Sequence, residues 1–222
     1  GGNHHTYMLY AGSVYSTGED LLKPVRGGDD VGGKLGRPID ALVLPGEAPD
    51  DRIEQARYNP SWRQVWGLEG LDIVNIASGQ NDGAAITTEG HLYMWGPNDH
   101  GQLGQGDQRQ RRAAVRVPLP DDVRVIDVVI GNAHTLALTE EGQVWGWGLN
   151  RTGVLGIEGE ADRILEPTRL TSLAGRRVIA IATAQNTHSL FLTEEGQVLA
   201  CGRNVDGVLG RGEPDNAIQQ DR

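Results

Sequence analysis

Cysteine is all but missing from this chain. Cys201 is the only one in 222 residues, so no intrachain disulfide and no Cys-x-x-Cys metal site can form. Lysine is nearly as scarce: Lys23 and Lys34 stand against arginine at every other basic position, a bias we attribute to a GC-rich coding genome. Aromatic residues make up 5%, with Phe191 the one phenylalanine. No apolar run approaches the ~18 residues of a membrane-spanning helix. Positive charge is in deficit, with 20 Lys and Arg against 30 Asp and Glu and a net charge of −10. That balance argues against a free-standing nucleic-acid binder, which needs a net basic face to neutralise phosphates. No Gly-x-Ser-x-Gly elbow is present to raise a serine nucleophile. The stretch Gly27 to Lys34 is rich in glycine but lacks the Gly-Lys-Ser/Thr ending of a phosphate loop, and Asp29 and Asp30 would repel phosphate. It reads as a loop extension, with a cation or a basic partner as the alternative use of its carboxylates. Asn150-Arg151-Thr152 spells a glycosylation sequon, read as chance in a chain with neither a disulfide framework nor a recognisable signal peptide.

What the chain has in abundance is glycine, 32 of 222 residues, about twice the usual ~7%. The excess follows an internal repeat. Gly131-Asn132-Ala133-His134-Thr135 leads into Leu136-Ala137-Leu138-Thr139, then Glu140-Glu141-Gly142, then Val144-Trp145-Gly146-Trp147-Gly148. The same order returns from Asn186 to Gly202, from Ala84 to Gly96, and from Gly2 through Gly18. Gly96 to Gly148 is 52 residues and Gly148 to Gly202 is 54, and Leu103-Gly104, Leu155-Gly156 and Leu209-Gly210 keep the same intervals. Gly18 to Gly96 is 78, so the first copy carries extra residues on both sides of Leu35-Gly36. Within a copy, period-two alternation, a glycine hairpin turn and a returning strand with glycine between tryptophans predict short antiparallel strands. Three to four such strands per ~52 residues is the signature of propeller blades.

WD repeats are excluded by their shorter period and missing Trp-Asp, and kelch repeats by their different glycine pattern. The recurring Gly-x-x-His-Thr, Gly-x-Val-Trp-x-Trp-Gly, Asn-x-x-Gly and Leu-Gly resemble the regulator of chromosome condensation repeat family. The copy from Gly131 to Gly156 is a near-complete match, whereas Asp82-Gly83 replaces His-Thr in the second copy and Ala200-Cys201 replaces Gly-Trp in the fourth. The resemblance implies an all-β fold, a seven-bladed β-propeller. Seven blades would need roughly 350–400 residues on this period, so the chain is expected to supply about four. One partial propeller domain is expected over 1–222, with repeats at about 1–41, 72–118, 123–171 and 178–222 and an insertion at about 42–64. The remaining blades then come from the same or another chain. Such an arc alone would leave apolar faces open and is expected to associate in light scattering.

His5, His134 and His188 share one repeat position, as do Gly96, Gly148 and Gly202, and Trp95 with Trp147. Positions repeated in every blade are read as structural, the histidines bonding neighbouring backbone. Cys201 replaces a strand tryptophan and reads as buried filler, while His91 and His100 read as solvated turn residues. Asn59-Pro60 could open a helix carrying Trp62, Val65 and Trp66, or Gln64-Val65-Trp66 could be the strand matching Arg116-Val117-Pro118. Trp62 and Trp66 accordingly either pack on the blade or anchor a partner. Arg109, Arg111 and Arg112, with Arg116, form one basic group, and Arg176 and Arg177 are placed in the corresponding connector of the next copy, giving a candidate basic strip for an acidic surface.

No catalytic residue, cofactor site or metal site is identified. The expected function is a non-catalytic protein-interaction or scaffold module. The alternatives are a guanine-nucleotide exchange factor for a small GTPase, the activity of the family's founding member, and a structural subunit of a mitochondrial, ciliary or ubiquitin-ligase assembly. An intracellular location, protein partners, no membrane contact and no nucleic acid complete the expectation.

Overall fold

The computed structural model describes residues 5–19, 58–157, 161–184, 188–204, 207 and 209. The Gly27–Lys34 loop and His4 lie outside the described residues. The strands are β1 His5–Tyr10, β2 Ser13–Glu19, β3 Tyr58–Gln64, β4 Ile73–Ser78, β5 Gly83–Thr87, β6 Leu92–Gly96, β7 Arg111–Arg116, β8 Val125–Ile130, β9 His134–Thr139, β10 Val144–Leu149, β11 Arg163–Arg169, β12 Val178–Ala184, β13 His188–Thr193 and β14 Val198–Gly202. They form four antiparallel sheets, in the orders β1-β2-β3, β4-β5-β6-β7, β11-β10-β9-β8 and β12-β13-β14. Every sheet is a meander of sequential strands, as expected of a blade.

β3 settles the helix-or-strand alternative for residues 59–66. Gln64 pairs with Tyr15 as Arg116 pairs with Tyr93 and Arg169 with Trp145. Residues 58–64, placed in the insertion by sequence, are therefore the outer strand of the first sheet. Pro60 is tolerated there because an edge strand need not donate every ladder hydrogen bond. Its place after Asn59 imitates a helix start without making one.

The chain divides into two compact units, 1–98 with 109–117, and 99–108 with 118–222. In the first unit, the first sheet packs on the second through a core of Val14, Val65, Leu68, Ile73, Ala85, Trp95 and Ala114. In the second unit, Leu136, Leu138 and Val144 of the third sheet pack with Ile181, Phe191 and Cys201 of the fourth. Both contacts use the same faces: Val14 stands where Val144 does, and Ala85 and Trp95 stand where Phe191 and Cys201 do.

Each hairpin between the second and third strand of the larger repeats is locked by a threonine. Thr139 accepts a bond from Gly142 N–H through its carbonyl (2.9 Å) and one from Gln143 N–H through its hydroxyl (3.1 Å). Thr87 and Thr193 do the same for Gly90 with His91 and for Gly196 with Gln197. This side-chain bond to a backbone donor two or more residues on is why threonine recurs before the glutamates.

The glycines of the returning strand answer to neighbours. At Gly148, φ is +98° and a Cβ would lie 2.4 Å from Ala133 O. The Leu-Gly turn has a different cause. Trp147 is fully buried and donates its indole N–H to Gln102 O at 2.8 Å, and Thr135 donates its hydroxyl to the same carbonyl at 2.8 Å. A Cβ on Gly104 would lie 2.9 Å from the indole nitrogen, with φ at +67°. Gly104→Ala should therefore lose more stability than the roughly 1–2 kcal/mol charged for a left-handed alanine. Gly175→Ala, at φ +80° with nothing within 4 Å of its Cβ, should lose only that amount. Chemical denaturation of the two variants measures the difference, and equal losses would contradict the indole contact.

Candidate functional site

The repeated histidines occupy buried strand starts. His134 is fully buried, and its Nε2 meets the Thr183 hydroxyl on β12 of the neighbouring sheet. Thr183 spends its own proton on His188 O at 3.2 Å, which leaves His134 Nε2 to donate. His5 is buried and meets Tyr7 edge-on, with centroids 4.9 Å apart. His188 is half-buried at the start of β13. Asp82, which replaces histidine in the second copy, is buried and accepts a bond from Asn81 N–H at 3.1 Å. Among the described residues no three His, Cys, Asp or Glu form a group that could hold a metal ion. His91 and His100, expected in solvated turns, are half-buried instead.

Cys201 lies on β14, 8% exposed, and its thiol donates to Val154 O at 3.1 Å. Val154 follows Gln102 by 52 residues, so the thiol reproduces the indole's bond to the equivalent carbonyl. Asn150 of the sequon is 6% exposed; its Oδ1 accepts from Leu155 N–H at 3.1 Å and its amide donates to Ile157 O at 3.3 Å. Glycan attachment would break that turn.

The arginines separate into two kinds. Arg109 precedes β7, and Arg111 and Arg112 open it; Arg111 donates to Arg109 O at 2.6 Å. Arg176 and Arg177 do not lie in the counterpart of that loop, as the sequence spacing implied. They lie in the connector into β12, where the matching residue in the third copy is Arg124. Arg177 is committed to the hairpins, donating to Glu140 O at 2.7 Å and pairing with Glu194 at 3.9 Å. Arg124 pairs with Glu140 at 3.2 Å. The two groups thus belong to different steps of the repeat.

The tryptophans predicted as packing residues or anchors both reach solvent: Trp62 is 44% and Trp66 47% exposed. Trp62 shares a sheet face with Gln64 by strand alternation, and Trp66 stands in the turn after β3, where its carbonyl accepts from Ala114 N–H at 2.8 Å. Register adds Tyr15 and Met8 to the Gln64 row and Tyr10 with Ser13 to the row beside it. Thr6 and Thr17 add to this face, which carries no charge among the side chains described on it. Tyr10 is 68% and Met8 37% exposed. The opposite face, with His5, Val14, Ser16 and Val65, is the buried one. Sequence reasoning missed Met8 and Tyr10 as members of this surface, although their alternation with buried His5 was the available signal.

Two models of the regulator of chromosome condensation (RCC1) repeat match this chain, one at residues 89–138 and 141–192, the other at 73–102, 125–153 and 186–208. The first model is offset from the sheets: 89–138 runs from the hairpin of the second sheet to the end of β9 in the third. The ultraviolet-B receptor UVR8 of Arabidopsis thaliana is 34% identical over 149 residues, which is 67% of this chain and 33% of the receptor. The E3 ubiquitin-protein ligase HERC2 of Mus musculus is 35% identical over 80% of this chain but 5% of the ligase. The chain thus spans a third or less of these relatives. Among solved structures, Prp20p of Saccharomyces cerevisiae superposes with a TM-score of 0.73 at 22% identity, covering 100% of this chain and 49% of that one. That likeness is one of fold.

At the hairpin tips, the Glu195 carboxyl is held below the usual carboxylate range by its own backbone N–H, then by the Thr193 hydroxyl. Glu89 is lowered likewise by its backbone N–H and by Thr87 and Thr88. A carboxylate lowered in the fold stabilises it above the unfolded pKa and loses that contribution as pH falls through the folded value. Both groups are exposed, so the effect on stability is small and is best read by NMR titration. Thr193→Val should raise the Glu195 pKa part of the way, leaving the larger backbone share. A pKa unmoved by the substitution would contradict the hydroxyl's part in it.

Proposed function

The chain belongs to the regulator of chromosome condensation repeat family, and on that premise we propose that it is a non-catalytic protein-interaction module built from propeller blades. One observation carries the reading: the outward face of the first sheet, uncharged among its described side chains in a chain where 23% of residues are charged. It holds Trp62, two tyrosines and a methionine, with Trp66 in the turn that follows β3, and these are residue types enriched at interfaces and their hot spots. His134, fully buried and bonded to the Thr183 hydroxyl of the neighbouring sheet, supports the reading of that repeat position as packing. Arg109, Arg111 and Arg112 offer a second, smaller surface suited to an acidic partner.

The experiment is co-purification with mass spectrometry, using tagged chain and variants. Tyr10→Asp combined with Trp66→Asp should remove the principal partners. Arg111→Glu with Arg112→Glu should weaken only partners with acidic surfaces. Unchanged partners in the first variant would sink the reading of that face, and unchanged partners in the second would remove the arginine site.

A second reading, guanine-nucleotide exchange on a small GTPase, draws support from the similarity to Prp20p, whose binding to Gsp1p and histones has been described. Release of a fluorescent nucleotide from a GTPase panel tests it: acceleration by the chain favours exchange, and none across the panel removes it. In the principal reading the protein works inside the cell as part of a larger protein or complex, as the match to a small portion of HERC2 would fit.

A further inference from the structure

The hairpin between the second and third strands of the repeat is built alike in three sheets, and one position in it changes chemistry. Glu140 N–H donates to Arg124 O at 2.9 Å, and Glu194 N–H to Arg177 O at 2.8 Å. In the second sheet the same bond runs from Thr88 N–H to Asp72 O at 2.9 Å. Thr88 precedes Glu140 by 52 residues and Glu140 precedes Glu194 by 54, the intervals of the repeat itself. The third and fourth hairpins therefore present two acids, Glu140-Glu141 and Glu194-Glu195, where the second presents Thr88-Glu89.

We propose that Thr88 is a phosphorylation site, the acceptor for a serine/threonine kinase that favours an acidic residue directly after its target. The transfer breaks the bond between the γ-phosphorus of ATP and its bridging oxygen and forms a bond from that phosphorus to Thr88 Oγ1. ADP leaves, and the hydroxyl proton passes to the kinase's base. The product carries a charge of about −1.5 to −2 at pH 7. It gives the second hairpin the pair of acidic groups that its two sisters hold permanently.

Three observations single out this hydroxyl. Thr88 is exposed at the tip, whereas Thr87 beside it is 1% exposed and holds His91 N–H on its hydroxyl at 3.2 Å. One threonine is within reach of an enzyme and its neighbour is committed to the turn. Second, two sister copies already carry an anionic side chain on the same backbone, so a phosphate at Thr88 meets no conflict with the hairpin. Third, the charge facing the position is reversed. Glu140 and Glu194 each meet the arginine of their own connector, Arg124 at 3.2 Å and Arg177 at 3.9 Å. Thr88 has exposed Asp72 in that place. A phosphate there finds a carboxylate where the sister glutamates find a guanidinium. It is repelled into solvent, where the arginines of a partner can take it.

Peptide mass spectrometry of the chain purified from cells should find phosphate on Thr88, and ATP with acid-directed kinases should place one there in vitro. Thr88→Ser should still accept it and Thr88→Ala should not, with circular dichroism checking that both variants fold. Glu89 supplies a second readout. Its carboxyl is held below the usual range by its own backbone N–H, then by the Thr87 and Thr88 hydroxyls. Phosphorylation takes the Thr88 proton out of that set and adds negative charge, so Glu89 should titrate at higher pH by NMR while Glu195 stays where it is. Thr88→Glu should move Glu89 in the same direction. Asp72→Arg added to Thr88→Glu should rebuild the ion pair of the sister hairpins and draw the Glu89 value back down. Phosphate confined to other residues, a Thr88→Ala chain that incorporates as much as the natural one, no phosphate either in cells or from the kinases, or a Glu89 titration unmoved by phosphorylation would each overturn the proposal.

Discussion

The contact on which the third and fourth sheets turn is a buried donor meeting a turn carbonyl, while in the second Trp95 donates to the Tyr7 hydroxyl at 3.0 Å. Trp147 reaches Gln102 O, and around that bond the repeat arranges its other signatures. Gly104 exists to let the ring lie flat on the turn, Thr135 to share the carbonyl, and Gly146 to leave room for Leu136, Leu155 and Leu170 around the strand. A buried N–H left unpaired costs on the order of 1–3 kcal/mol. The fourth copy, having lost the indole, supplies a thiol proton at the same point. The hydrogen at that point outlasts the ring that usually bears it.

Because the turn 99–108 belongs to the unit of the third and fourth sheets, a motif that looks local in sequence has its reason about 45 residues downstream. This is the economy of repeat proteins, in which each unit is finished by its neighbour. It also accounts for the offset between the matched repeat, 89–138, and the sheets. A sequence repeat may be framed at any step of its period, whereas a sheet must begin where a strand leaves one meander for the next.

Much of the fold was legible in the sequence because period, hairpin glycines and strand alternation are local properties. The strand at 58–64 was not, since Asn59-Pro60 is equally good grammar for a helix start and only the pairing of Gln64 with Tyr15 decides. The histidine position was readable as a repeated one, but the Thr183 hydroxyl that meets His134 lies 49 residues away on another sheet. The arginines were misplaced for a related reason: a spacing counted from Leu-Gly does not distinguish a loop within a blade from the connector between two. The candidate face needed three strands in register, and the long segment between β2 and β3 hid the arrival of Trp62 and Trp66.

One small irregularity has a wider consequence. The first strand of the second, third and fourth sheets shifts register at its second residue, at Val74, Ile126 and Ile179, and each of these is half or more exposed. These strands are sheet edges, where an even ladder would recruit any passing strand. A bulge twists the edge and spoils its spacing. At these three edges the strand keeps its place in the sheet while offering an incoming strand no even ladder to continue.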